Sequence, residues 1–201
     1  GKMKRVHHTA ASGKPDITFA YDAAGNRIMK QVGDPDVDPT GYREWYVPDA
    51  QGNIMAIYRS QPEPVANTSP QQYAASLKVV ERPIYGSKRL GSYTRAMQLV
   101  GEQNITVYPY VQPMQAPLKH YELTDHLGNV AAVVTGRLLP GNGAGSTYQP
   151  EVVSATLHEP FGLELTGMNW QSNVSRFGFQ NQIKDIELNS IHFKYREYFP
   201  S

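Results

Sequence analysis

The chain has 201 residues, with 19 Lys or Arg against 18 Asp or Glu and a net charge of +1 when His is neutral. That balance argues against a dedicated nucleic-acid binder, which carries a basic face and a high isoelectric point. The absence of Cys excludes a disulfide scaffold, a Cys-ligated zinc site and a thiol nucleophile. The longest clean apolar run, Val130 to Val134, is far short of the roughly 20 residues a membrane helix needs. At roughly 150 residues per domain, the length predicts one domain or two small ones.

Residues 1–16 open the chain as an arm, or as a strand whose partner lies upstream, with Lys2, Lys4, Arg5, His7 and His8 grouped together. The chain begins on Gly1 and closes on Phe199, Pro200 and Ser201 without structural punctuation, so it is expected to be a piece of a longer polypeptide. From residue 17 the sequence alternates. Ile17, Phe19 and Tyr21 share one face of a predicted strand, Trp45 and Val47 share another, and Ile54 to Tyr58 is a β-prone run. Residues 61–76 hold three Pro and few apolar residues, which predicts a long surface loop. Ile105, Val107 and Pro109 alternate again, and residues 140–150, rich in Gly, predict a flexible hairpin end or a linker. His192 to Tyr198 alternates in its turn. Short alternating runs bounded by turn residues predict an all-β chain of antiparallel hairpins.

One short pattern recurs three times: Asp22 to Asn26, Asp49 to Asn53 and Asp125 to Asn129, each reading D-x-x-G-N with Gly25, Gly52 or Gly128 fourth. Asp at the first position can accept hydrogen bonds from turn amides two or three residues on. Gly supplies the positive φ that closes a type I turn with a G1 bulge, and Asn restarts the strand. Each copy therefore predicts a hairpin turn.

Tyr21-Asp22 to Arg27 resembles the YD repeat of Rhs proteins, large bacterial polymorphic-toxin and cell-surface polypeptides. Other segments follow in the family's order. Arg82 to Gly91, with Tyr85, Gly86, Arg89, Leu90 and Gly91, is similar to an IYGSSRLG element. Tyr121 to Val130, with His126 and Leu127, resembles the DHLGNVR core signature, with Ala131 in place of Arg. Pro160, Phe161 and Gly162 resemble the YPFG element, and Arg176 to Asp185, with Phe177, Gly178 and Phe179, resembles YRFGFNGKEKD. His192 to Pro200 lies where the family has YDYGFRIYDP.

The resemblance implies a twisted spiral sheet that forms part of a shell around a C-terminal effector, in a secreted or surface-displayed protein. It implies a partner chain, or a missing N-terminal part, to pair with open sheet edges. A docking subunit of a secretion or adhesion machine is the alternative, and self-cleavage a third. Phe199 stands where the family carries the Asp linked to that cleavage, so no catalytic residue is assigned.

No cofactor is expected. Asp34, Asp36 and Asp38 have the spacing that starts a calcium loop, but Trp45 stands at the position that requires Glu, so an acidic loop is expected instead. None of the six His has zinc-motif spacing. His126, beside Asp125, is expected to pack on the sheet and not to act as a base. The sequons at Asn67, Asn104 and Asn173 carry no weight in a bacterial protein. The Tyr-rich faces are expected to fill the spaces between coils; the alternative is stacking on sugars or on a partner.

Overall fold

The computed structural model describes residues 2–94, 97–100, 119–141, 147–171, 175–194 and 196–200. The strands in chain order are β1 (Arg5–Val6), β2 (Ile17–Tyr21), β3 (Arg27–Val32), β4 (Tyr42–Pro48), β5 (Ile54–Ser60), β6 (Glu63–Pro64), β7 (Tyr73–Ala74) and β8 (Leu77–Tyr85). They continue as β9 (Arg89–Tyr93), β10 (Met97–Val100), β11 (Lys119–Thr124), β12 (Val130–Pro140), β13 (Tyr148–His158) and β14 (Glu164–Trp170). Last come β15 (Ile183–Asp185), β16 (Ser190–Phe193) and β17 (Arg196–Tyr198). Every strand pairing is antiparallel and the only helical pieces described are single 3-10 turns, so the protein is all-β. Two compact units divide it: residues 1–83 with 94–114, and residues 84–93 with 115–201.

In the first unit β1 to β5 form a meander, β8 follows β5, and β10 pairs with β8. Ile17 and Phe19, read from the alternation, share one buried face with Val32, Tyr46 and Ile57; on β4 the sequence groups Trp45 with Val47, but Tyr46 is the buried residue and Val47 is exposed. The same face carries charge. Lys30, Glu44 and Arg59 stand directly opposite one another on β3, β4 and β5. Glu44 is fully buried and takes Arg59 Nη2 at 2.6 Å, the Tyr46 hydroxyl at 3.0 Å and Lys30 Nζ at 3.9 Å. A one-residue slip would turn Glu44 and Tyr46 together to the other face and part Glu44 from Arg59 and Lys30, so the row specifies register as well as stability.

The second unit holds the sheet β9-β11-β12-β13-β14 and a separate three-stranded sheet, β15-β16-β17. Its buried apolar residues include Val130, Val133, Phe177, Phe179, Ile183 and Ile191. Arg89 and Glu122 form a two-pronged ion pair, Nη1 to Oε1 at 2.9 Å and Nη2 to Oε2 at 2.7 Å, with both side chains almost wholly buried. The guanidinium lies 3.2 Å from the centre of the Phe177 ring and donates to Asn181 Oδ1. Segments some ninety residues apart in sequence are thereby joined (separation 92).

Several expectations change on contact with the fold. The N-terminal arm pairs as β1 with β2 and is pinned by Asp16, which accepts from Arg5 Nη2 at 2.7 Å and the His8 amide at 2.8 Å. Residues 61–76 contain the small β6–β7 ladder. Strands β12 and β13 run into residues 140–150 from both sides, so that stretch is the far end of a long hairpin. His192 to Tyr198 is two strands and not one, because Phe193 pairs with Arg196 and the chain reverses between them. Ile105, Val107 and Pro109 lie outside the described residues.

Because Glu44 is the shared partner of Lys30 and Arg59, Glu44→Leu is expected to destabilise the first unit by about 3–5 kcal/mol. Adding Lys30→Met should recover part of that loss by removing a stranded cation. Urea denaturation midpoints of the two variants measure the difference.

Candidate functional site

The three D-x-x-G-N segments close the hairpins β2–β3, β4–β5 and β11–β12 with one backbone pattern. The Asp amide donates to the Asn carbonyl four residues on, at 2.9, 2.8 and 2.9 Å for Asp22, Asp49 and Asp125. The Gly amide donates back to the Asp carbonyl at 3.0, 3.1 and 3.1 Å. Gly25, Gly52 and Gly128 have φ of 82°, 91° and 87°, where a Cβ is penalised. The side chains then lock the turn. Asp Oδ1 accepts the Asn amide at 2.7, 2.8 and 2.9 Å, and Asp Oδ2 accepts Asn Nδ2 at 2.8, 2.9 and 2.7 Å.

The same backbone appears a fourth time between β13 and β14. Glu159 donates to the Leu163 carbonyl at 2.8 Å, Gly162 donates to the Glu159 carbonyl at 2.9 Å, and Gly162 has a φ of 86°. Sequence reading did not count this copy, because Glu and Leu replace the Asp and Asn that clamp the others. Its signal was the spacing of an acidic residue and a Gly three positions later.

Residues 178–182 tie the two turns of the second unit together. Gln180 donates its amide to Asn129 Oδ1 at 2.9 Å, and Val130 donates to the Gly178 carbonyl at 3.1 Å. On the other side the Phe179 ring covers Gly162, where a Cβ would lie 2.7 Å from the ring carbons. Asn129 is buried, unlike Asn53, since it serves both its own turn and this bridge. Phe177, Gly178 and Phe179 are all buried in this region.

The remaining sequence-selected residues are distributed as follows. Gly86 forms a tight turn with Lys88 after Tyr85, and Arg89 is the buried ion-pair partner of Glu122, while Leu90 faces outward. At Gly91 a Cβ would sit 1.9 Å from the His120 carbonyl oxygen, so strand β11 passes against bare backbone there. His126 and Leu127 are exposed, and the expected packing of His126 on the sheet is not found. The central turn positions they occupy point their side chains to solvent. Pro160 and Phe161 are exposed at the equivalent turn positions. Asp34, Asp36 and Asp38 do not converge: Arg43 binds Asp36 at 2.6 Å and Asp34 at 3.7 Å, while Asp38 accepts from the Thr40 amide at 2.9 Å. Among the described residues no group of His, Asp and Glu is arranged to hold a metal ion. No described helix is long and apolar enough to cross a membrane.

Beside the fourth turn the second unit encloses a cavity of about 320 Å³. His158, Glu164, Lys184, Asp185, Asn189 and Ser190 bring polar groups to it, and apolar residues including Leu163, Phe179, Ile186 and Ile191 line the rest. Lys184 Nζ lies 3.5 Å from Glu164 Oε1, and burial lowers the Lys184 ammonium from its ordinary value against the pull of Glu164. Burial also lowers His158, which favours the neutral imidazole. These residues come from three distant segments, and no spacing in the sequence connects them.

No family model matches the chain, and no curated protein sequence matches it.

The turn carboxylates titrate below their ordinary value of 3.8. For Asp22 and Asp49 the largest cause is the hydrogen bond from the Asn side chain; for Asp125, burial works upward and the Asn129 bonds outweigh it. A depressed carboxylate stabilises the fold above the unfolded value and loses that contribution as pH falls through the folded one. The melting temperature is therefore expected to hold from neutral pH down to about 4.5 and to drop below about 4, as followed by circular dichroism. Gly128→Ala is expected to cost about 1–2 kcal/mol through φ strain alone. Gly91→Ala should cost more, because the His120 carbonyl must move, and thermal melts of the two variants rank them.

Proposed function

We propose that the chain is a non-catalytic structural part of a bacterial Rhs/YD-repeat protein, secreted or displayed at the surface. In this role its hairpins form part of the wall or plug of a shell that encloses or presents a C-terminal effector. The observation that carries the reading is the clamped D-x-x-G-N turn, repeated on three hairpins and echoed in backbone by a fourth. A repeated turn of this kind generates a meander that can continue indefinitely by adding hairpins, as a shell wall requires.

Two further features support it. The buried faces are organised by ion pairs and turns and not by an exposed reactive group, as suits a scaffold. Phe199, at the position of the family's cleavage-linked Asp, supports a wall without self-processing.

The test is electron microscopy of the full-length gene product with intact-mass measurement on the same sample. Closed particles with a lumen and one intact mass are expected. Compact particles without a lumen would contradict the shell, and two fragments divided near Phe199 would contradict the non-catalytic assignment.

A further inference from the structure

The cavity beside the fourth turn has no part in the wall reading, and its chemistry is unlike that of a packing defect. Dry packing defects are apolar. Here imidazole, carboxylate, ammonium, amide and hydroxyl groups share the lining with Leu163, Phe179, Ile186 and Ile191. Its volume of about 320 Å³ equals roughly ten water molecules in the liquid and falls within the small-molecule range.

The charges inside decide what class of ligand fits. Lys184 and Glu164 face each other at 3.5 Å and offset each other's field. The third charged residue of the lining, Asp185, is fully buried with its own partners inside the protein, so the accessible charges select neither a free anion nor a free cation. A zwitterion would have to separate Lys184 from Glu164. A ligand that is neutral but rich in hydroxyls gains without breaking the pair. The Glu164 carboxylate has room to accept: its contacts to Lys184 at 3.5 Å and to Asn169 Nδ2 at 3.3 Å are both longer than a tight charge-assisted bond.

The other groups present mixed donors and acceptors. Neutral His158 offers one donor and one acceptor, with its ring tilted against Phe179 at 6.1 Å. The Asn189 amide offers both. Ser190 donates its hydroxyl proton to Glu197 Oε1 at 2.9 Å, which leaves its lone pairs to accept. Hydroxyl groups, which donate and accept at once, match such a set, and the apolar lining residues match the C–H groups of a sugar ring.

We propose that this cavity is a binding site for a neutral pyranose-sized sugar, with Glu164, Asn189 and His158 as the principal hydrogen-bonding residues. The proposal goes beyond the shell reading and does not depend on it.

The experiment is saturation-transfer NMR and calorimetry of the full chain with methyl glycosides of glucose, galactose, mannose and N-acetylglucosamine. Inorganic phosphate and glycine serve as the charged and zwitterionic competitors. At least one glycoside is expected to bind saturably in the millimolar range, and neither competitor should displace it. Asn189→Gly removes the amide while suiting the backbone φ of 51° at that position, and it should weaken binding about tenfold or more, as should Glu164→Gln. If Glu164→Gln fails to fold, Leu163→Trp at the cavity rim supplies the second variant and should abolish binding. Saturable binding by no glycoside, displacement by phosphate or glycine, or unchanged affinity in the folded variants would each overturn the proposal.

Discussion

In each D-x-x-G-N turn a single carboxylate makes the decisive contacts, because it binds both the backbone and the side chain of the Asn that restarts the strand. A type I turn with a left-handed Gly is otherwise one of several ways to connect two strands. With Oδ1 on the Asn amide and Oδ2 on its side-chain amide, the loop length is fixed, and the loop length fixes the pairing that follows. The consequences extend along the strands. Once Asp49 sets the end of β4–β5, Glu44 falls opposite Arg59, and Lys30 meets the same carboxylate across β3–β4, whose connection is the acidic loop at residues 33–41. The Asp49 turn therefore determines where Glu44 meets Arg59.

Those buried charges in turn make register costly to change. A sheet whose inner face is purely apolar can slip by two residues and still bury hydrophobic side chains. Slippage here would leave Glu44, which is fully buried, without Arg59 and Lys30. In the second unit Arg89 and Glu122 play a similar part across longer range, with Phe177 and Asn181 completing the guanidinium's surroundings. Breaking one member of such a set costs several kcal/mol, whereas replacing the whole set with apolar residues often does not. Specificity of pairing is the more economical explanation for keeping charge inside.

What was legible in the sequence follows the range of the interactions. The three turns could be read because every contact in them spans five residues, and alternation at Ile17, Phe19 and Tyr21 revealed an inward face for the same local reason. The ion pairs could not be read: Arg59 and Glu44 are 15 residues apart and Arg89 and Asn181 are 92 apart, so their meeting depends on topology. The fourth turn was obscured because Glu159 and Leu163 keep the backbone but lack the clamp. His126 is expected from the sequence to pack on the sheet, whereas its central turn position exposes it. The cavity drew on His158, Lys184 and Asn189 at once, and only the folded second unit brings them together.

The central claim is that the Asp–Asn clamp, and not the Gly alone, holds the turn. A double-mutant cycle on Asp125→Ala and Asn129→Ala tests it most directly, with unfolding free energies taken from urea titrations. The Asn129 contact to Gln180 is lost in both arms that carry the Asn change, so it cancels from the coupling. A coupling of about 1–2 kcal/mol is expected if the clamp holds the turn. Additive effects, with a coupling indistinguishable from zero, would contradict it and leave the Gly conformation as the sole determinant.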